Sequence, residues 1–351
     1  MDTTKKQEIR NWYIEKRPVF KKLTSKIESI LIELIEESDI NIHNIYSRTK
    51  DIDSFDTKIS KKSYKEPKNE IHDLTGIRII TYVESDVEII SSIVKKSFKI
   101  DIKNSINKKM ELGIDRVGYQ SVHFVAELKN DRLKLPEYKK FKNMKFEVQI
   151  RTILQHAWAE IEHDRNYKFS GQLPEEIKRR FTVLAGALEL ADREFNSIAN
   201  TIDNISSQVE EGNKTGQLNI EINSTTLNSY LKNRLSKYLE NGSIEDSRDK
   251  HEEIEMIANL NTLNIKTLDN LDGIIEENYI EKFIENIREP RNYFDFISNL
   301  LLYKFSKTFF QSIDQDFYDG IFIDELELHK ALGVPIDDII RKNNIEILKS
   351  T

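Results

Sequence analysis

The pattern of apolar and polar positions changes from that of a strand to that of a helix between residues 146 and 163. Residues 146–151 alternate between the two kinds of side chain, as in a strand that is buried on one face. The apolar members are Phe146, Val148 and Ile150, and the polar members are Glu147, Gln149 and Arg151. From Thr152 the spacing becomes helical, because His156, Glu160 and His163 recur at intervals of four and three residues. The sequence therefore predicts a polar strand face beside a polar helix stripe, which suits a cleft for a metal ion and phosphates.

The same analysis predicts an α+β fold for the first part of the chain, with a mixed sheet of about five strands flanked by helices. Helical spacing covers residues 4–37, where Pro18 either divides the run into two helices or lies in a first turn. Residues 44–68 are expected to be partly loop, and residues 99–117 to be a loop. The other predicted elements are strands over 76–83, 118–128 and 145–151 and helices over 86–98, 152–167 and 174–205.

A change of pattern near residue 206 predicts a domain boundary. Residues 206–217 contain two glycines and no apolar repeat, so we expect a linker there. We therefore predict a first domain over 1–205 and an acidic, all-helical domain over 218–351 that is a candidate regulator of the first. Its predicted helices cover 224–240, 246–262, 274–288, 291–312, 324–331 and 335–348.

Charge separates the two predicted domains. Residues 201–351 contain 16 Lys and Arg against 28 Asp and Glu, and subtraction from the totals of 53 and 60 leaves 37 and 32 in residues 1–200. A basic half suits polyphosphates, and an acidic half suits a partner or control module, although acidic helices can also simply aid solubility. The chain has no cysteine, no apolar leader and no apolar run long enough for a membrane span, so we expect a cytoplasmic protein without disulfides.

Chemically reactive side chains cluster where predicted strands begin. Asp73 precedes an apolar strand, Arg78 lies within that strand, and Tyr119 lies in a glycine turn ahead of another. Together with Glu147 and Arg151, they provide two carboxylates, two guanidiniums and an aromatic ring, a set suited to a nucleotide bound with Mg²⁺. The alternative is that the two carboxylates pair with Arg78 and Arg151 in a surface ion network.

Four motifs occur in an order that resembles the synthetase domain of the RelA/SpoT family. They are R-x-K-x-x-x-S-x-x-x-K from Arg48 to Lys58, D-x-x-G-I-R from Asp73 to Arg78, G-Y-Q-S-x-H from Gly118 to His123, and E-x-Q-I-R-T from Glu147, followed by H-x-x-x-E-x-x-H from His156. The resemblance covers roughly residues 10–200 and implies a nucleotidyltransferase-like synthetase fold. It also implies an Mg²⁺-dependent enzyme that transfers pyrophosphate from ATP to the 3′-hydroxyl of GDP or GTP, making (p)ppGpp-type alarmones.

The resemblance implies a role for each matching residue. Asp73 and Glu147 would be the catalytic carboxylates and the metal ligands, with Glu147 also the general base for the acceptor hydroxyl. The residues implied for ATP, with arginines on the adenine and lysine on the phosphates, are Arg48, Lys50, Lys58 and Arg78. The residues implied for the acceptor, with the tyrosine stacked on its base, are Tyr119, Gln149, Arg151 and His156.

The segment before Tyr119 departs from the family pattern. Alarmone synthetases have a lead similar to K-D-Y-x-x-x-P-K-x-N-G-Y, whereas this chain has Asp115-Arg116-Val117 before the glycine. Because this loop helps to hold the acceptor phosphates in the family, the acceptor stays open between GDP or GTP, adenine nucleotides and tRNA. One alternative is a toxin or phage-defence enzyme that pyrophosphorylates the tRNA 3′ end and is restrained by its C-terminal domain; another is a non-catalytic nucleotide sensor. The long amphipathic helices also allow a homo-oligomer.

Overall fold

A mixed β-sheet forms the centre of the first of two compact units, Met1–Ala199 and Asn200–Thr351. The structure is a computed structural model that describes residues 3–38, 40–61, 64–107, 121–168, 174–246, 250–312 and 320–348. The strands of the sheet are β1 (Ile42–Thr49), β2 (Thr75–Thr81), β3 (Phe98–Ile100), β4 (Ile106–Asn107), β5 (Val122–Leu128) and β6 (Phe146–Thr152). They lie in the order β1-β2-β6-β5-β3, and β4 also pairs with β5. Since β2 and β6 are parallel and the other pairs antiparallel, the predicted mixed sheet is confirmed.

Helices flank this sheet, as the sequence predicts. They are α1 (Thr3–Glu36), α2 (Ile52–Lys61), α3 (Pro67–Glu70), α4 (Glu84–Ser97), α5 (Asn130–Leu133), α6 (Ile153–Lys168) and α7 (Glu175–Thr215), with a 3₁₀ turn at Lys139–Phe141. Pro18 lies inside α1, so both positions predicted for this proline are wrong. The helix continues through it because Tyr13 and Phe20, on either side, are buried in the same core.

The basic segment after β1 is more regular than the expected loop. Lys50 and Asp51 follow the strand, and the Asp51 carboxylate caps α2 by accepting from the Ser54 backbone N–H at 2.7 Å. Phe55 and Ile59 then turn into the core, at 0% and 4% exposure. Their four-residue spacing is a short helical signal, and this helix packs the later part of the basic motif, which ends at Lys58, against the core beneath the sheet.

The two faces of the sheet have opposite characters because strand side chains alternate. Ile77, Ile79, Val148 and Ile150 pack in a core with the apolar stripes of α1 and α4. The opposite face of β2 and β6 carries Gly76, Arg78, Glu147 and Gln149, in agreement with the predicted alternation. The fold therefore leaves one polar face available for chemistry.

The predicted linker 206–217 is helical as far as Thr215, because α7 continues through it. The division between the units falls at Ala199 and Asn200, before the predicted linker. Val209 is fully buried in the core of the second unit, which explains why the helix persists there. Gln217 then ends the helix by donating its backbone N–H to the Gly212 carbonyl at 3.1 Å.

The second unit is mainly helical, with two short parallel strand pairs that the all-helical prediction missed. Its helices are α8 (Ser224–Arg234), α9 (Ser236–Glu240), α10 (Lys250–Thr262), α11 (Leu268–Asp272), α12 (Glu277–Asn286), α13 (Tyr293–Phe305), α14 (Phe309–Ser312), α15 (Ile323–Ala331) and α16 (Ile336–Asn343). The strands are β7 (Ile244–Glu245) with β8 (Arg291–Asn292), and β9 (Gly320–Phe322) with β10 (Glu346–Leu348). The predicted helix 335–348 stops because Asn344 adopts a left-handed conformation at φ 52°. No helix in the described ranges is both long enough and apolar enough to cross a membrane.

Candidate active site

The polar face of the parallel pair β2–β6 borders a cavity of about 200 Å³. Strand register sets Gly76 opposite Glu147 and Arg78 opposite Gln149. The cavity is lined by Tyr46, Ser47, Arg48, Asp73, Gly76, Ile77, Arg78, Glu147 and Gln149. Residues predicted from three separate motifs therefore meet around one space. Its volume is below the roughly 300–1,000 Å³ of typical ligand pockets, so it encloses only part of a nucleotide.

Asp73 is held by two lysines of the basic motif. Nζ of Lys50 lies 2.7 Å and Nζ of Lys58 lies 2.8 Å from the same oxygen, Asp73 Oδ2. Burial works to raise the pKa of Asp73, but the hydrogen bonds from the two lysines outweigh it and hold this pKa below its usual value. The other oxygen, Oδ1, is buried and has no hydrogen-bond partner among the described residues. Asp73 is thus an ionised carboxylate with one oxygen still open to a cation.

Glu147 is held by His123 from the neighbouring strand. His123 Nδ1 lies 2.9 Å from Glu147 Oε1, and because an ionised carboxylate only accepts, the imidazole donates. On the far side of the ring, Nε2 contacts the Ser121 hydroxyl at 2.7 Å. Burial works to raise the pKa of Glu147, but the hydrogen bond and charge of His123, helped by Gln149, hold this pKa below its usual value; the charge of Asp73 opposes them. The two carboxylates are therefore close enough to interact electrostatically, and both are ionised at neutral pH.

Two arginines project from β1 and β2 beside the cavity. Arg48 pairs with Gly76, and Arg78 pairs with Tyr46, so the two arginines are diagonal neighbours on one face. Diagonal neighbours lie roughly 7–8 Å apart, which matches the two van der Waals contacts needed on either side of a flat base. Arg48 also crosses Gly76, because a Cβ built on that glycine would lie 3.8 Å from Arg48 Cγ. Arg78 is steadied by Glu160 of α6, whose Oε1 accepts from Nη1 at 2.7 Å.

The four residues predicted for the acceptor fall in different places. Gln149 lines the cavity and donates to Glu147 Oε1 at 3.3 Å. Arg151 is 4% exposed and donates to Gln149 Oε1 at 2.7 Å, so it supports that amide from the interior. His156 lies on α6 beside Arg78 and Tyr46, and burial together with the charge of Arg78 lowers its pKa. Tyr119 lies outside the described residues.

The residue set suits Mg²⁺. No group of three carboxylate, histidine or cysteine side chains able to hold a metal occurs in the described part of the chain. Mg²⁺ prefers one or two carboxylates completed by substrate phosphates and water, which is what Asp73 and Glu147 beside one cavity would provide. The unpartnered Oδ1 of Asp73 is the atom that most directly fits such an ion.

Tyr46 and His123 make contacts at the site that the sequence motifs do not predict. Tyr46 lines the cavity with its ring centroid 6.3 Å from that of His156, and its alternation with Arg48 on β1 was the signal for it. His123 ends the G-Y-Q-S-x-H motif and was given no role of its own, yet it contacts Glu147 directly. His123 and Ser121 also border a second cavity of about 510 Å³ between α4 and β5. His123 thus joins this second cavity to Glu147, which lines the first.

Comparison with known proteins gives a consistent result. A family model described as the region found in RelA / SpoT proteins matches residues 47–172. The GTP pyrophosphokinase YjbM of Bacillus subtilis (strain 168) is 31% identical over 169 residues, which are 46% of this chain and 74% of that protein. The GTP pyrophosphokinase YwaC of the same organism is 28% identical over 167 residues, which are 46% of this chain and 76% of that protein.

A solved structure is also similar to the chain. The crystal structure of the small alarmone synthetase 2 from Bacillus subtilis superposes with a TM-score of 0.46 at 23% identity. The superposition covers 54% of this chain and 98% of that one.

Proposed function

The chain belongs to the RelA/SpoT family and is a pyrophosphotransferase, and on that premise we propose that it transfers the β,γ-pyrophosphate of ATP to the 3′-hydroxyl of GDP or GTP. The two GTP pyrophosphokinase relatives favour an enzyme over the non-catalytic sensor. The single observation that carries the proposal is the cavity where Asp73, Glu147, Arg48 and Arg78 meet. Two carboxylates and two guanidiniums around one space are suited to a metal-bound polyphosphate attached to a flat base.

ATP would be bound by four basic side chains. The diagonal arginines, Arg48 and Arg78, would stack on either face of the adenine, since a guanidinium is planar and attracted to aromatic faces. Lys50 and Lys58 would contact the phosphates, exchanging their shared partner Asp73 for phosphate oxygens. That exchange would leave Asp73 to the cation that accompanies ATP.

Glu147 would act on the acceptor. The acceptor 3′-oxygen attacks the β-phosphorus, a new O–P bond forms, and the bridging bond between the α- and β-phosphates breaks, with its electron pair leaving on AMP. The 3′-hydroxyl proton passes to Glu147, which is ionised and so able to accept it. Because its pKa is lowered, Glu147 is a weak base, and we expect it to orient the hydroxyl first and to take the proton late. Mg²⁺ bound by Asp73 and Glu147 would neutralise charge on the phosphates.

The proposal is tested by offering γ-labelled ATP and Mg²⁺ to the purified full chain with GDP, GTP, ATP and deacylated tRNA in parallel. Label in GDP or GTP products supports the proposal. The matched variants are Glu147→Gln, which keeps the shape of the site, and Glu127→Gln on the adjacent strand β5. We expect the first to lower kcat by about 10²-fold or more and the second to leave it unchanged.

The same experiment can contradict the proposed acceptor, the role of Glu147 or the reaction itself. Label appearing in tRNA and in no nucleotide would replace the proposed acceptor with an RNA end, in line with the departure before Tyr119. Equal transfer by Glu147→Gln and the unmodified chain would remove Glu147 from the proposed role. Label remaining in ATP with every acceptor would contradict the proposed reaction.

We also propose that the acidic residues 218–351 regulate the domain at 1–205. The support is the charge imbalance, 28 acidic against 16 basic side chains over 201–351. The test compares transfer rates and growth inhibition for residues 1–205 and for the full chain. A shorter form that is neither more active nor more inhibitory than the full chain would contradict regulation by restraint.

A further inference from the structure

We propose that Asp192, on α7, is a positioning residue for the candidate active site and acts through Thr152 at the junction of β6 and α6. No motif points to Asp192, which follows the family-model match at 47–172. The proposal rests on the proposed function for its kinetic readout, and it has a separate readout in the backbone of the junction. Its basis is a pair of contacts that α7 makes with the ends of the two strands bordering the cavity.

Thr152 joins the strand of Glu147 to the helix of His156. Its backbone N–H donates to Gln155 Oε1 at 3.1 Å, and its hydroxyl accepts from the Gln155 N–H at 3.2 Å, a reciprocal cap for α6. The same hydroxyl donates to Asp192 Oδ2 at 2.7 Å. A hydroxyl has one hydrogen to donate, so Asp192 fixes the rotamer in which the remaining lone pairs face the helix. The helix cap at Thr152 therefore depends on the Asp192 carboxylate.

Burying the Asp192 carboxyl costs free energy that a purely structural contact would not require. Asp192 and Thr152 are 5% and 0% exposed, and Asp192 Oδ1 has no hydrogen-bond partner among the described residues. Burial raises the pKa of Asp192, the Thr152 hydrogen bond opposes this rise, and the charge of Glu84 adds to it. A poorly compensated buried carboxyl lowers stability, so stability does not account for its presence here.

A second contact from α7 lies one turn further along. Asn196, four residues after Asp192, accepts from the Ser85 backbone N–H at 2.8 Å in the first turn of α4. That helix follows β2, whose last residue, Thr81, is the register partner of Thr152. One face of α7 therefore contacts the segments that follow both parallel strands. Ala185, two turns before Asp192, is also buried, at 5% exposure.

The junction matters because it sets the direction of α6. Glu160 on α6 holds Arg78 at 2.7 Å, and His156 lies on the same helix near Tyr46. If the junction loosened, α6 would tilt relative to β6, and these side chains would shift relative to Glu147. A displacement of about 1 Å at a reacting centre is enough to reduce the rate by about 10²-fold.

The test uses paired variants of the full chain. Asp192→Ala and Thr152→Val remove the contact, and we expect each to lower kcat by about 10- to 100-fold and also to raise KM for ATP, because Glu160 on α6 holds Arg78 at the proposed adenine site. Asp192→Asn and Thr152→Ser keep an acceptor and a donor, so they should retain kcat within about threefold. The double variant Thr152→Val/Asp192→Ala should lose no more than Thr152→Val alone, because Thr152→Val already removes the contact with Asp192 together with the helix cap. Glu194→Ala, exposed on the same helix, is the control and should behave as the unmodified chain.

Hydrogen exchange over residues 150–156 gives the readout that does not need catalysis. We expect faster exchange there in Asp192→Ala and Thr152→Val, with the rest of the first unit unchanged. Unchanged kcat in both variants, or loss of activity that only follows loss of folded protein, would overturn the positioning role. If the unmodified chain transfers label to no acceptor, the proposed function fails. Unaltered exchange over residues 150–156 in both variants then overturns the positioning role of Asp192 by itself.

Discussion

Asp73 and Glu147 are both buried carboxylates beside one cavity, but different neighbours keep them charged. Asp73 is bound by two lysines, whereas Glu147 is bound by an imidazole and an amide. In each case hydrogen bonds to the ionised form outweigh the cost of burial. The sequence identifies these two side chains as candidates. The partners that keep them ionised are set by contacts between segments that are far apart in the chain.

The two lysines on Asp73 are expected to differ when replaced. Lys50 is 8% exposed, so Lys50→Met leaves a buried carboxylate short of charge and should lower both stability and ATP affinity. Lys58 has a more exposed side chain, and Lys58→Met should weaken ATP binding by about 10-fold with little loss of stability. ATP titration and thermal unfolding measure the two effects.

The control for these lysines is Lys22→Met, since Lys22 is exposed on α1. It should leave both ATP affinity and stability unchanged. ATP binding by Lys58→Met that equals the binding of the unmodified chain would remove Lys58 from the phosphate site.

Among the elements, the parallel pair β2–β6 decides where the site lies. Both strands bury one face and present polar residues on the other, and the two helices that follow them, α4 and α6, begin side by side. The sequence predicts both strands and the helix after each, because alternation and helical spacing are local signals. It does not predict that β2 and β6 are neighbours, since 64 residues separate Thr81 from Phe146 and pairing depends on the whole sheet.

Helix α1 provides a test of how tertiary packing overrides a local signal. Pro18 lacks the N–H that would bond to the Ile14 carbonyl, yet the helix continues because the flanking apolar residues are buried. Pro18→Ala at this exposed position should therefore raise the free energy of unfolding of the first unit by about 1–3 kcal/mol.

Urea unfolding followed by circular dichroism measures this change, with Lys16→Ala on the same helix as a control that should shift stability by less than about 0.5 kcal/mol. A lower stability for Pro18→Ala would mean that the proline preserves a bend that the packing needs.

For the molecule as a whole, the main feature is that each unit has its own apolar core. One core gathers α1, α4 and the sheet, and the other gathers Val209 with the helices of the second unit. Separate cores permit separate unfolding, and the candidate nucleotide site belongs to the first.

We therefore expect two unfolding transitions in calorimetry. Saturation with ATP and Mg²⁺ at about 100 times Kd should stabilise the first unit by about 2.7 kcal/mol and leave the transition of the second unit unchanged. Phe296 is fully buried in the core of the second unit, at 0% exposure, so Phe296→Ala should lower the free energy of unfolding of that unit by about 3–5 kcal/mol. One transition that responds to both changes would show that the units unfold together.

The fold class, the polar strand face, the family and most of the side chains around the cavity follow from the amino-acid sequence alone, because these depend on local spacing and on short motifs. The sequence left Tyr46 without a role and did not reveal that Arg151 is buried behind Gln149, since both depend on neighbours across the sheet. Only the tertiary structure brought Asp192 to Thr152, forty positions away, because helix packing decides which distant side chains share a buried space.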